Sequence, residues 1–399
     1  VSAVAFGRTV RLATERASSR SDFRIGLEAI EKETGRLNFD PDVQYDGDGI
    51  RFRRGDVLFG KLRPNLRKAW LADADGDAVG DFHVYRPLPE RMTSRYLSYL
   101  VLSEPFLEPV IASVSGAKMP RADWNEVRNV KVWVPSLSEQ RAIAHYLDRE
   151  TAQIDTFIAK SEELIDLLTE RRAVAINDLV WSGASAGTKR APVGEALPHS
   201  PAHWLRVRNK QLYQERVGVS EDGEGELLTV SHLTGVTPRS QKNVTMFEAE
   251  STVGYKLVEP GDLAINTMWA WMGALGVATT PGIASPSYGV YRPIGDLPYH
   301  PRYFDYLYRS APYVAKMTVY SKGITESRLR LYPETFLRLP IVVPPLEEQR
   351  AIVDRIESET EQLDAAVTTA ERGVELARER RAALISAAVT GKIDVGVAA

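Results

Sequence analysis

Two short stretches of this 399-residue chain carry side chains suited to reading a nucleobase. The first is Gly60-Lys61-Leu62-Arg63-Pro64-Asn65-Leu66-Arg67-Lys68. An arginine fork and an amide can pair in two-pronged fashion with guanine and adenine edges. Lys61, Arg67 and Lys68 add the positive charge that phosphates attract. The second stretch, Asn266-Thr267-Met268-Trp269-Ala270-Trp271-Met272, sets an amide beside two indoles. Two more polar stretches lie downstream: Ser115–Arg121, with Lys118 and Arg121, and Tyr320–Arg330, with Tyr320, Lys322, Ser327, Arg328 and Arg330. The competing readings are solvated charge for Arg67 and Lys68, and core packing for one of the two tryptophans.

Catalytic patterns are missing. There is no phosphate-cradling GxxxxGK[ST], no HExxH, and no GxGxxG after a strand. The only Pro-Pro, Pro344-Pro345, opens a helix and lacks the flanks of an amino-methyltransferase motif. The chain has no cysteine, which excludes disulfides and thiolate metal sites and fits a reducing, cytoplasmic setting. His199 and His203 are separated by Pro201 and preceded by Pro198, so they share no helix face and no metal site is read there. His83 and His232 stand alone in strand-like runs and read as structural. Leu263–Tyr291 is uncharged, but Asn266, Pro281, Pro286 and several glycines break it into buried strands rather than a membrane span. The net charge of −3 hides a pattern: acid is concentrated in 135–182 and 344–399, and the remaining segments are mildly basic. What remains is binding.

The loops sit on repeated frames. Gly55-Asp56-Val57-Leu58 returns as Gly261-Asp262-Leu263, a turn followed by a strand, with Pro260-Gly261 at the centre of a type II turn. Val84-Tyr85-Arg86-Pro87 returns as Val290-Tyr291-Arg292-Pro293. Short helices are expected at Arg95–Ser103 and Arg302–Ser310. The strongest echo is PSLSEQRAI (Pro135–Ile143) against PPLEEQRAI (Pro344–Ile352), where Val132–Val180 and Ile341–Val389 are identical at 20 of 49 positions. Ser136 and Glu139 have capping-box spacing. Heptad seams follow, from Ala144 to Leu179 and from Val353 to Ala388, each interrupted by a threonine (Thr151, Thr360) and an arginine (Arg172, Arg381) at the same step. Gly183 and Gly391 mark the ends. Each helix should run on the order of 65 Å. A period of about 200 residues is too long for a solenoid.

The expectation is an α+β protein with a pseudo-two-fold internal repeat: two mixed regions and two long helices whose apolar seams need a partner, most simply each other. The segments are 1–134 (first mixed region), 135–182 (first spacer helix), 183–200 (linker), 201–343 (second mixed region), 344–391 (second spacer helix) and 392–399 (tail). The matched frames carry different polar tips, as two readers of two targets would. A coiled-coil scaffold that binds no DNA is the alternative; it leaves the divergent tips without a reason.

The repeated P-x-L-x-E-Q-R-A-I, the helix after each copy, the GD turn, FGKLRP, SPSYGVYRP and the duplicated layout together resemble the specificity subunit of type I restriction–modification systems, over essentially the whole chain. The resemblance implies two mixed α/β target-recognition domains joined by two long antiparallel coiled-coil helices, each domain reading one half of a bipartite, asymmetric site in double-stranded DNA, with the helices setting the gap. Four residues inserted within Glu162–Glu170 should then lengthen the tolerated gap. It implies a non-catalytic chain that recruits two methyltransferase subunits and two restriction/translocase subunits, with no membrane partner. S-adenosylmethionine, ATP and Mg are expected on those partners, and no cofactor or metal on this chain. Partner subunits are expected to dock near the helix starts, at Leu137, Gln140 and Arg141 and at Leu346, Gln349 and Arg350. DNA binding by the chain alone should be weak, because partners supply phosphate contacts. The family usually has a short lead-in before its first domain, whereas Val1 here begins close to it.

Overall fold

The computed structural model describes residues 3–16, 21–114, 119–184, 187–242, 251–323, 329–393 and 395. The chain divides into two units, Val1–Glu163 with Ala370–Ala399, and Leu164–Thr369.

The first unit is built on a four-stranded antiparallel sheet in the order Val10–Ala13, Phe82–Pro87, Val57–Gly60, Ala69–Leu71. Val57-Leu58-Phe59-Gly60 is buried at every position because both faces of the sheet are covered, and such a strand reads as a continuous apolar run. Alternate side chains divide between two cores. Val57, Phe59 and Tyr85 point into one, and Leu58, Trp70 and Val84 into the other, as the two-residue period of a strand requires.

The second unit repeats the sheet as Tyr213–Glu215, Tyr288–Pro293, Leu263–Asn266, Leu275–Val277. Leu263 and Ile265 again point to one core and Val290 to the other. The uncharged stretch Leu263–Tyr291 is therefore strands and turns. Among the described residues no helix is long and apolar enough to cross a membrane.

The repeated GD turn has the same chemistry in both units. Gly55 and Gly261 each have φ of 91°, and Asp56 and Asp262 close the turn through their backbone N–H. Their carboxylates are buried and paired in two-pronged fashion, Asp56 with Arg86 at 3.0 and 2.8 Å and Asp262 with Arg216 at 2.6 and 3.0 Å. The motif thus fixes the strand entry and is itself shielded from solvent.

The long helices span Leu137–Ser182 and Leu346–Ala388. Ser136 and Glu139 form the capping box, with Glu139 Oε2 accepting from Ser136 N at 2.9 Å. The Ser136 hydroxyl, which donates to Glu139 Oε2 at 2.7 Å, and then the Ser136 N–H hold the Glu139 carboxyl below its usual range. Gly183 ends the first helix at φ 78°, a left-handed position that favours glycine. Every residue of both heptad seams is buried or half-buried. In each unit the helices pair in opposite directions. Arg381 meets Asp155 at 2.8 Å and Arg378 meets Glu162 at 2.7 Å in the first; Arg172 meets Asp364 at 2.6 Å in the second.

Each unit takes the start of one long helix and the end of the other. Ile143, Leu147, Ile385 and Val389 share the first unit's main core; Ile352, Ile356, Val180 and Trp181 share the second's. The polar contacts at these seams repeat as well. Tyr96 Oη donates to Val389 O, and Tyr303 Oη donates to Val180 O, both at 3.1 Å. Glu104 N donates to Ser386 Oγ, and Ala311 N donates to Asn177 Oδ1, both at 3.1 Å.

Candidate nucleic-acid interface

In the first unit the strand Val57–Gly60 runs into Lys61 and a tight turn at Pro64–Leu66. Arg63 and Arg67, on either side of that turn, both have φ of 50°, a backbone region uncommon for residues other than glycine and found where surrounding structure holds it in place. Ala122 N donates to Lys61 O and Arg63 N donates to Pro120 O. The two polar stretches of this unit are thereby brought together into one surface.

The second unit repeats the arrangement. Leu331 N donates to Thr267 O at 2.9 Å, and Lys322 and Arg330 exchange backbone hydrogen bonds beside it. Lys322 and Arg330 thus sit next to the turn Trp269–Gly273. In each unit, then, a tip follows the central strand and a second loop is tied to it by the same backbone bond.

The side chains divide sharply. Arg63 and Asn65 are exposed. Lys61 lies 3.7 Å from Asp81, and Arg121 binds the same Asp81 with two nitrogens at about 3.0 Å, so both cations share one carboxylate. Arg67 lies 3.6 Å from Glu104 and 4.0 Å from Glu33. Lys68 Nζ donates to Leu27 O at 2.6 Å, and its burial, with Lys32 nearby, pushes its pKa down. Arg67 and Lys68 are therefore engaged within the fold. Lys118, Ser327 and Arg328 lie outside the described residues.

On the second tip Asn266 is half-buried and its Oδ1 accepts from Met268 N at 3.3 Å, so the amide shapes the turn. Trp269 is 49% exposed. Trp271, half-buried, donates from Nε1 to Met268 O at 3.1 Å and lies nearly parallel to Trp269, with ring centroids 6.4 Å apart. Met268 and Met272, which the residue types alone did not single out, complete an exposed apolar tip. The absence of charge from Leu263 to Tyr291 was the available signal. Tyr320 closes the helix Ala311–Tyr320 instead of lying in a loop, and Lys316 Nζ sits 4.8 Å from its ring centre.

The residues expected to meet partner subunits also divide. Gln140 and Gln349 are fully buried, which corrects the expectation of a direct partner contact. Gln140 accepts from Thr93 N at 2.8 Å and donates to Arg91 O and Pro135 O at 2.7 and 3.0 Å. Gln349 does the same to His300 N, Pro298 O and Pro344 O. The repeated glutamine bolts the helix start to the loop ahead of the first short helix. Arg141 and Arg350 are exposed, and Leu137 and Leu346 half-buried. His203 meets Glu348 at 2.7 Å beside Trp204, which meets the same carboxylate at 2.9 Å. No group of three or more His, Asp or Glu able to hold a metal occurs among the described residues.

No protein-family model matches the chain. Over 130 residues, 32% of this chain, it is 25% identical to the type I restriction enzyme EcoDI specificity subunit of Escherichia coli, and the matched stretch spans 29% of that relative's length. The fold matches a solved chain described under complex assembly and conformational transition of the type I R-M system, with a TM-score of 0.71, 21% identity and 98% of both chains covered. The HsdS subunit from Thermoanaerobacter tengcongensis aligns with a TM-score of 0.49 and 19% identity over 98% of this chain and 97% of that one. This chain thus has, along nearly its whole length, the fold of a type I restriction–modification chain, and it carries a stretch similar in sequence to a specificity subunit.

Proposed function

We propose that this chain is the DNA-specificity subunit of a type I restriction–modification enzyme. Each unit reads one half of a bipartite, asymmetric site in double-stranded DNA, and the long helices set the unread gap. The observation that carries the reading is the pair of matched frames with unlike tips: Arg63 and Asn65 on one, the Met268–Met272 turn on the other. A frame held constant while its tip changes is what two readers of different sequences require, since the frame positions and the tip specifies.

In this reading the chain performs no chemistry. It recruits two methyltransferase subunits and two translocase/nuclease subunits, which bind S-adenosylmethionine, ATP and Mg, and it acts in the cytoplasm. Arg141 and Arg350, exposed on the first turns of the long helices, are the docking candidates that remain. Mapping methylated adenines genome-wide, with the gene present and deleted, tests the reading. A two-part motif that disappears with the gene is expected; an unchanged map would overturn it.

A further inference from the structure

We infer that the second unit reads its half-site through thymine methyl groups, using the exposed face of Trp269 with Met268 and Met272. The inference rests on the DNA-reading function proposed above and names the chemistry that the second tip recognises.

Three observations converge on it. The tip is apolar and exposed, with Met268, Trp269 and Met272 at 39%, 49% and 36% exposure. No charged residue occurs between Leu263 and Tyr291, so the tip itself cannot neutralise a phosphate. It is also rigid. Trp271 Nε1 is bound to Met268 O, Thr318 Oγ1 donates to Trp271 O at 3.1 Å, and Asn266 closes the turn from the other side. Trp269 therefore stands on a fixed base, parallel to Trp271 within 18°, and loses little side-chain freedom on contact. Finally, cations flank it: Lys322 and Arg330 lie on the loop bonded to Thr267 through Leu331 N, both exposed.

Positive charge beside an apolar platform is the arrangement for duplex DNA, with cations on phosphates and the platform on base edges. In the major groove the one apolar group a base edge presents is the C5-methyl of thymine. Asn266 Oδ1, Thr267 Oγ1 and Trp271 Nε1 are each engaged within the fold, so the largest surface the tip presents is the apolar face of Met268, Trp269 and Met272. The matching tip of the first unit, with Arg63 and Asn65, has the opposite character. The two half-sites are thus read by different physics, one through hydrogen bonds and one through methyl contact.

The test uses the full chain assembled with its methyltransferase partner and duplexes carrying the mapped site. Thymines are replaced by uracil, which removes only the methyl, in one half or the other. Uracil in the half read by the second unit should weaken binding about fourfold per contacted methyl, and Trp269→Ala should lower affinity for the thymine duplex and abolish the thymine–uracil difference. Uracil in the other half should have the same effect on Trp269→Ala as on the parent. Indifference of the parent complex to uracil in the half read by the second unit, or a motif with no thymine in that second-unit half, overturns the inference while the specificity function stands. Failure of Trp269→Ala to assemble with its partner subunits, with the thymine–uracil difference absent in the parent, would make the tip a protein contact instead. Failure of the parent complex to bind any duplex would instead overturn the function itself.

Discussion

Gln140 shows how a loud signal can carry a quiet role. Its position in a duplicated motif was plain in the sequence, but its partners, Arg91, Thr93 and Pro135, are backbone groups that no side-chain pattern names. Gln140→Ala strips three hydrogen bonds from a fully buried site and should cost about 2–4 kcal/mol of stability, read as a lower urea midpoint. Arg141→Ala, on the exposed face beside it, should leave the midpoint in place. His83 makes a second prediction. Burial, with Lys61 nearby, lowers its pKa from 6.5 to about 4, and its Nδ1 sits 3.1 Å from Tyr85 Oη. The folded state keeps the ring neutral while the unfolded chain protonates it. Stability is therefore full above pH 6.5 and falls as the pH drops towards 4, by about 2 kcal/mol at pH 5. His83→Gln should remove that part of the acid slope when denaturation midpoints are compared at pH 7 and pH 5. The readers were only partly legible at this scale. Arg63 and Asn65 emerge exposed as their types suggested, but Arg67, Lys68 and Arg121 are taken up by Glu33, Glu104, Leu27 and Asp81, residues distant in sequence.

The elements were more legible than the contacts, because burial leaves a period in the sequence. Both heptad seams, the capping box and the strands Val57–Gly60 and Leu263–Asn266 follow from spacing alone. The helix Ala311–Tyr320 did not, since Pro312 after Ser310 reads as a stop, whereas proline in a first turn also begins a helix. The arginine that interrupts each seam now has a partner, and the two copies differ in environment. Arg381 is 8% exposed at its side chain, bonded to Asp155, Glu33 O and Thr34 O. Arg172, its counterpart, is 39% exposed and meets Asp364. Removing Arg381 leaves the buried Asp155 with only the exposed Arg36 at 3.0 Å and takes the donor from Glu33 O and Thr34 O, whereas a half-exposed pair is screened by water. Arg381→Ala should therefore cost about 3 kcal/mol and Arg172→Ala under about 1 kcal/mol, as separate midpoints in urea denaturation. Equal losses would mean that burial does not distinguish the copies.

At the scale of the whole molecule the duplicated layout was legible throughout, because two copies of one pattern reinforce each other. The division of labour between the copies was not. It depends on which side chains each fold consumes and which it leaves at the tip, and that is decided by contacts such as Asp81 with Arg121, 40 residues apart, and Thr318 with Trp271, 47 apart. If each unit reads its own half-site, damage to one tip must alter one half of the motif and spare the other. The direct measurement is a genome-wide map of methylated adenines in cells whose only copy of this chain carries Arg63→Ala. The account predicts a bipartite motif relaxed in one half, with the other half and the gap unchanged. A motif altered in both halves together, or one identical to that of the parent, would contradict it.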